Sequence, residues 1–406
     1  MNTDNNATEA KLLTLAPTMK QGGFYNKNST LQGQTVSIGI PLVHSMALTA
    51  MRSFGPGEEL INIADFGCSQ GANSMRVIQA IVRAVTEHSS RESNIPTTVN
   101  TSSRPLSLMV FHEDLPSQDW QSLFLQVEKK DGSSYLNLPG CQKRDSTPHV
   151  FSAAIGRSFY ERMFPDRFLH MAVSFTAVHW ISQRPDVYPG ASWFYNSRNS
   201  PEESHKAGAN QFYSDFENFL RLRAIEVKEG GQMYISMSAS PLEVPELSQK
   251  NFVQDDLDAA IKSMLDSGLM TKDHVKAITL PMYIPTERDL KKVFERVADV
   301  WEPSGFSYFP EANVYISCWD DFVNGFITAE HLGQQYEDFW RAVSESWMTG
   351  QLQAIGLSAE AATQILNEMY GRVRLAVSAS PRQSFSFNLM GSLRRKESVP
   401  LTCSTA

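Results

Sequence analysis

Hydrophobic positions along the chain switch between two periods, and the clearest switch lies in residues 61–85, INIADFGCSQGANSMRVIQAIVRAV. Residues 61–66 form a short apolar run, which predicts a buried strand. Residues 67–73 are small and polar and predict a tight turn. Met75, Ile78, Ile81, Val82 and Val85 then recur at helical spacing. Further apolar runs predict strands over residues 106–111, 150–155, 168–175 and 232–237, with more β-like sequence over 301–319. Between them the pattern predicts a helix over 41–54, with Pro41 at its start, and a long helix over 211–227, closed by Gly230-Gly231. Strands alternating with helices predict a doubly wound, mostly parallel α/β sheet. Residues 241–300 are helical in pattern and charged and read as a cap inserted into that core. Residues 301–377 read as the remaining core strands and cap helices. Residues 19–35 read as a loop or short helix, and residues 1–18 and 378–406 as mobile tails. No internal repeat is visible.

Composition narrows the class. A chain of 406 residues can hold two domains or one elaborated α/β domain. A net charge of −8 argues against a general nucleic-acid binder. Cys68, Cys141, Cys318 and Cys403 are widely spaced with no C-x-x-C and read as free thiols in a reducing compartment. The polar start MNTDNNATEA lacks a signal-peptide pattern. No run approaches the ~20 apolar residues that span a bilayer. The expectation is a soluble cytoplasmic protein with no nucleic-acid or membrane partner; a homodimer is left open.

The glycine turn carries the candidate chemistry. Gly67 and Gly71 let the backbone pass close to a ligand, and the amides opening the next helix can receive an anion. Asp65 sits at the carboxyl end of its strand, where ligands bind in open α/β sheets. Asp114 ends the second strand in the same way. A loose glycine loop beside such an acid suits an adenosyl cofactor. The same residues, Gly67-Cys68-Ser69-Gln70-Gly71, also spell G-x-S-x-G, the nucleophile elbow of hydrolases with Ser69 as nucleophile. A strand-to-helix turn without any ligand has the same pattern.

Several segments in order resemble the SABATH methyltransferases, which use S-adenosylmethionine to methylate small-molecule carboxylates or, in some members, ring nitrogens. Gly22-Gly23-Phe24-Tyr25 with Asn28-Ser29 and Gln32 resembles the family's N-terminal segment. Residues 63–73 resemble IADLGCSSGPN, Asp114-Leu115-Pro116 the NDLP element, residues 156–165 GSFYGRLFP and residues 178–182 LHWLS. Phe219-Leu220-Arg221 and Gly230-Gly231-Gln232-Met233 resemble two later segments. The resemblance covers residues 19–240 well and the remainder loosely. It implies a class I methyltransferase-like Rossmann core and S-adenosylmethionine as cofactor. By position, Tyr25 and Ser29 would close over its methionine part, and Asp65, Gly67, Cys68 and Asn73 would line the loop. Asp114 would accept from the ribose hydroxyls, Leu115 and Phe159 would flank adenine, and Ser158 would bind its edge. Gln32, Thr176, His179 and Trp180 would form the substrate side, with Lys20 near the acid.

The implied reaction gives a methyl ester by in-line displacement. A carboxylic acid of pKa ~4 is already ionised at neutral pH, so no catalytic base is required. Thr176 stands where plant members have a tyrosine, which reshapes the acyl pocket. Some members hold a divalent metal at an Asp-x-Phe-Asn run; here Lys276-Ala277-Ile278-Thr279 takes that place, and a lysine is no oxygen ligand, so no such metal is expected. Ring-nitrogen methylation is the nearest rival and an α/β-hydrolase using Ser69 the rival from another class. A binding protein without catalysis is a third.

Overall fold

The computed structural model describes residues 19–54, 58–93, 106–138, 148–309 and 316–397. Its centre is a seven-stranded sheet: β1 Leu60–Phe66, β2 Ser107–Asp114, β3 His149–Gly156, β4 Leu169–Phe175, β5 Val227–Ser238, β6 Trp301–Phe309 and β7 Asn388–Arg395, in the order β3-β2-β1-β4-β5-β7-β6. The first five neighbours run parallel, and β7 runs antiparallel to both β5 and β6. β1 is buried along its length after Leu60 because helices cover both faces of the sheet. Ile63 pairs with Val110 on one side and Met171 on the other. From β1 the chain winds outward through β2 and β3, then returns to start the other half at β4. The crevice between β1 and β4 is therefore the switch point of the sheet.

The short α1 Phe24–Asn28 leads into α2 Thr30–Ser53, and on one face α2 and α3 Ala72–Ser93 precede and follow β1. Val36, Val43 and Ala47 of α2 and Ile78 and Val82 of α3 pack on Ile63, Val110 and Val173. The short α4 Trp120–Val127 adds Leu123 and Val127. On the opposite face, α5 Glu202–Glu226 lays Phe212, Phe216, Phe219 and Leu220 on Phe66, Met233 and Ile235. A third apolar cluster forms the cap. It joins α7 Val253–Asp266 and α8 Lys272–Ile278, which follow the single turn α6 Pro245–Ser248, to α11 Ala329–Ala354 and α12 Ala359–Ala379. Two further helices, α9 Glu287–Arg296 and α10 Ile316–Val323, lie between these pairs in sequence. α9 puts Leu290 and Val293 against Trp301 in the sheet cluster, so residues 241–300 divide between cap and core.

Five differences from the sequence pattern have physical causes. Residues 30–53 form one helix with Pro41 inside it, not a loop followed by a helix begun by Pro41. Leu31, Thr35, Val36 and Gly39 bury one face, and a Cβ on Gly39 would lie 2.7 Å from the Phe175 ring. That packing outweighs a polar local sequence and the hydrogen bond that proline removes. The long helix begins at Glu202, nine residues early, with Glu202 and Glu203 in its first turn. Gly230-Gly231 do not close that helix. They lie inside β5, where a Cβ on Gly231 would come within 2.9 Å of the His170 carbonyl. The β-like sequence of residues 301–319 is strand only through Phe309, and α10 begins at Ile316. Residues 378–397 are not a mobile tail, because β7 fills the gap between β5 and β6, with Met233 opposite Leu393 and Tyr308 opposite Leu389. Its Ser- and Arg-containing sequence, NLMGSLRR, hides the strand. Residues 1–18 and 398–406, read as tails, lie outside the described residues.

Leu393 is fully buried in the apolar cluster that the sheet shares with α5. Leu393→Ala should destabilise the protein by ~2–5 kcal/mol, the usual cost of emptying a core leucine site. Urea unfolding checks this; an unchanged midpoint would mean that β7 is not part of the cooperative core.

Candidate active site

The loop after β1 is held by the acids ending β2. The Gly67 and Cys68 amides donate to the Glu113 carbonyl at 3.0 and 2.9 Å, and the Gly67 amide also reaches Glu113 Oε2 at 3.1 Å. The Ser69 amide donates to Asp114 Oδ2 at 2.8 Å, and the Leu115 amide to Asp114 Oδ1 at 2.8 Å. Gly67 and Gly71 have φ of 80° and 91°, which glycine adopts freely. Ser69 takes the same region at 48°, a conformation stabilised here by its amide's bond to Asp114.

α1 straps this loop from above. Asn26 Nδ2 donates to the Gln70 carbonyl at 2.9 Å, and Asn26 Oδ1 accepts the Ala72 amide at 3.2 Å. Gln70 Nε2 donates to the Lys20 carbonyl at 2.8 Å, and Asp119 accepts the Gly22 amide at 2.9 Å. The Lys20 amide reaches the Ala342 carbonyl of α11, and its ammonium pairs with Glu345. Lys20 thus belongs to the link between strap and cap.

Between strap and loop lies a cavity of about 30 Å³. Tyr25, Gln32, Asp65, Gly67, Cys68, Asn73 and Thr176 are among its walls, seven residues marked from the sequence. Ser29 is adjacent, its Oγ accepting from Asn73 Nδ2 at 3.3 Å. Asp114, Leu115, Ser158 and Phe159 lie outside this cavity, on the neighbouring strand ends: the Arg157 amide donates to the Asp114 carbonyl at 2.9 Å, which sets the β3 loop beside that of β2. Phe159 is half-buried against Tyr160 and Phe219.

His179 and Trp180 are not in the cavity wall either. They follow β4 and are sewn to residues 280–284, with the Tyr283 amide donating to the His179 carbonyl and the Ile181 amide to the Pro281 carbonyl. His179 Nδ1 accepts the Ser238 amide at 3.3 Å, and burial lowers its pKa to about 3. The ring is therefore neutral at physiological pH with its proton on Nε2. The Trp180 ring packs on the cap cluster, and its carbonyl accepts from the Tyr160 hydroxyl.

Sequence reasoning missed Asn26, Gln70, Ser74, His112 and Phe175. The first two work through contacts 44 residues or more away, and no local signal marks them. Ser74 donates to Asp65 Oδ2 and lies 3.2 Å from His112 Nδ1, while His112 Nε2 is 2.7 Å from the Tyr135 hydroxyl.

The electrostatics favour a cation. The cavity wall holds one carboxylate, Asp65, and no basic side chain. Burial raises Asp65 to about 7, against the Ser74 hydrogen bond and with the Asp114 charge adding. Burial also raises Asp114 to about 6, opposed by its two amide partners. The same desolvation lifts Glu113 and the Cys68 thiol well above their usual values, with Asp114 adding in each case. Gln32 Oε1 and Ser69 Oγ are buried without hydrogen-bond partners.

A family model described as SAM-dependent carboxyl methyltransferase matches residues 18–396. The chain belongs to this family. It is an S-adenosylmethionine-dependent carboxyl methyltransferase of the SABATH type. It is similar to jasmonate O-methyltransferase of Arabidopsis thaliana, 31% identical over 287 residues that cover 67% of this chain and 71% of that one. A probable jasmonic acid carboxyl methyltransferase of Theobroma cacao is 27% identical and covers 92% of this chain and 95% of its own. Anthranilate O-methyltransferase 3 of Zea mays is 28% identical over 67% of this chain and 70% of its own. A solved loganic acid methyltransferase with SAH shares the fold, at a TM-score of 0.68 and 22% identity over 94% of this chain and 99% of that one.

Family membership overturns the hydrolase alternative, and the loop geometry agrees. Ser69 Oγ has no partner, whereas a nucleophile needs a histidine in contact. His112 is engaged with Ser74 and Tyr135, and His179 accepts from Ser238. Ser69→Ala should keep methyl transfer within ~10-fold of wild type, the cost of at most one neutral hydrogen bond. A fluorophosphonate probe should leave the wild type unlabelled; labelling that vanishes in Ser69→Ala would restore the nucleophile.

Proposed function

We propose that this methyltransferase acts on a small organic acid held beside Gln32, and that the acids of the first two strands hold the cofactor. The single observation that supports this reading most is the cavity wall itself: one carboxylate, Asp65, no basic side chain, and Gln32 as a further polar side chain. A carboxylate without a countercharge suits the cationic cofactor, and the Gln32 side-chain NH₂ is a donor suited to an acid oxygen.

When bound, S-adenosylmethionine supplies a methyl group already activated by its sulfonium. The chain's own residues bind and orient. Asp65 receives the cofactor's cationic methionine part, with Tyr25 and Ser29 closing over it and Gly67, Cys68 and Asn73 lining the loop. Asp114 has two oxygens, each with a lone pair left after its amide bond, and these accept the ribose hydroxyls. Leu115 and Phe159 flank adenine, with Ser158 at its edge.

Gln32 and Trp180 orient the acid by donating to one oxygen, and neutral His179 offers a further donor through Nε2. Thr176 leaves the acyl side roomier than a tyrosine would. An ionised acid needs no base, so the contribution of these residues is alignment and exclusion of water, worth ~7–11 kcal/mol in favourable cases.

The cavity is far below the ~300–1,000 Å³ of ordinary small-molecule sites, and Tyr25 and Asn26 of α1 wall it. Ligand access therefore requires α1 to swing outward, opening its bonds to the glycine loop.

Mass spectrometry of aromatic, indolic and aliphatic acids incubated with enzyme and S-adenosylmethionine tests the function. A gain of one methyl on the carboxyl group is expected. A fragment carrying an N-methyl group, or no product from any acid, would overturn it.

The pH dependence follows from Asp65. A bound cation favours its ionised form, so its pKa falls below about 7 in the complex. Affinity is then weak below the bound value, rises with pH between the two, and levels off above the free value. Calorimetric titration with S-adenosylmethionine from pH ~5.5 to ~7.5 stays below the cofactor's own amino titration at ~7.7–8.0. Affinity should climb across this range, and in Asp65→Asn the slope should be shallower and confined to the lower end, where Asp114 at about 6 still titrates. A flat wild-type profile would show that Asp65 does not meet the cation.

A further inference from the structure

One turn of α5 carries an ionic pair that reaches out to the loop after β3. Arg223 and Glu226 are both fully buried, with Arg223 Nε 2.7 Å from Glu226 Oε2. The guanidinium also donates outward, from Nη1 to the Phe159 carbonyl at 2.8 Å and from Nη2 to the Glu161 carbonyl at 2.9 Å. Glu226 Oε1 accepts the amides of Met163 at 2.7 Å and Phe164 at 3.2 Å. Four backbone groups of one loop thus end on two side chains of one helical turn.

The same guanidinium lies 4.6 Å from the centroid of Phe66, the last residue of β1, and 5.2 Å from that of Phe219. Phe219 is also the ring on which Phe159 packs edge-on, with centroids 5.7 Å apart. Arg223 therefore holds Phe159 twice: by its carbonyl, and through the ring beneath it.

A buried ion pair is a weak device for stability, since apolar residues of similar volume often serve as well. What apolar residues cannot do is fix two carbonyls and two amides in one geometry. We propose that Arg223 is a positioning residue for the adenosyl end of the cofactor: it fixes the backbone from which Phe159 projects, and with it the aromatic face presented to adenine. This rests on the assignment of Phe159 to the adenine side.

Two variants separate positioning from folding. Arg223→Lys keeps the charge beside Glu226 but loses the planar fork that spans two carbonyls. Arg223→Met with Glu226→Leu removes both charges together and keeps the packing volume, which guards against a chain that fails to fold. Calorimetric titration of the full chain with S-adenosylmethionine should show Kd raised about tenfold in both, the equivalent of ~1.4 kcal/mol. Thermal melts establish that each variant is folded.

The decisive readout is the coupling to Phe159. In a Phe159→Ala background, Arg223→Lys should change Kd by less than about twofold, because the ring it positions is gone. Folded variants with wild-type Kd would overturn the inference, and so would a full effect of Arg223→Lys in the Phe159→Ala background. Wild-type affinity in Phe159→Ala alone would instead reject the adenine-side assignment, and that single variant reports it independently of Arg223.

Discussion

Three successive amides, at Gly67, Cys68 and Ser69, end on two adjacent acids, Glu113 and Asp114. Everything at the site depends on this join. It ties the loop after β1 to the tip of β2, fixes the φ > 0 conformation of Ser69, and aims the opening of α3. Burying three carboxylates so close together is costly, and that desolvation pushes Asp65 and Asp114 up from their usual range. The amides offset part of it. A positive charge brought to Asp65 would relieve more.

The remaining parts lock onto this join from three directions. α1 crosses over the loop through Asn26 and Gln70 and continues to the cap through Lys20. The loop after β3 is set beside Asp114 by its own backbone and from below by Arg223 and Glu226. The segment after β4 is sewn to residues 280–284, which brings His179 and Trp180 up against the cap. The three directions come from segments far apart in the chain that meet only in the folded protein.

Much of this was legible in the sequence where chemistry and local pattern coincide. The strand, glycine loop and helix of residues 61–85 appear in the structure as β1, the loop and α3 because periodicity, small residues and an acid at the strand end all agree. The sheet class followed from alternating strands and helices. Less was legible where polar sequence is buried by partners distant in the chain. The first part of α2, within residues 19–35, read as a loop or short helix, because the partners that bury this end of the helix, Phe175 and Tyr234 against Gly39, lie about 140 residues or more further on in the chain. Arg223 and Glu226 looked like an ordinary charged turn; only the folded chain shows that they are fully buried.

The sequence by itself determined the cofactor class and the glycine loop, since these depend on residue types at fixed short spacing. It also determined the alternation that makes a parallel sheet. Tertiary structure alone decided that residues 388–395 close the sheet between β5 and β6, a pairing specified by two edges lacking a partner rather than by its own composition. It decided that Asn26 and Gln70 strap the site and that Lys20 binds the cap. It also agrees with the family match in setting aside a nucleophile at Ser69. The motif fixes a turn, but a nucleophile needs a histidine brought to it through space, and the fold commits its buried histidines near this loop to other partners.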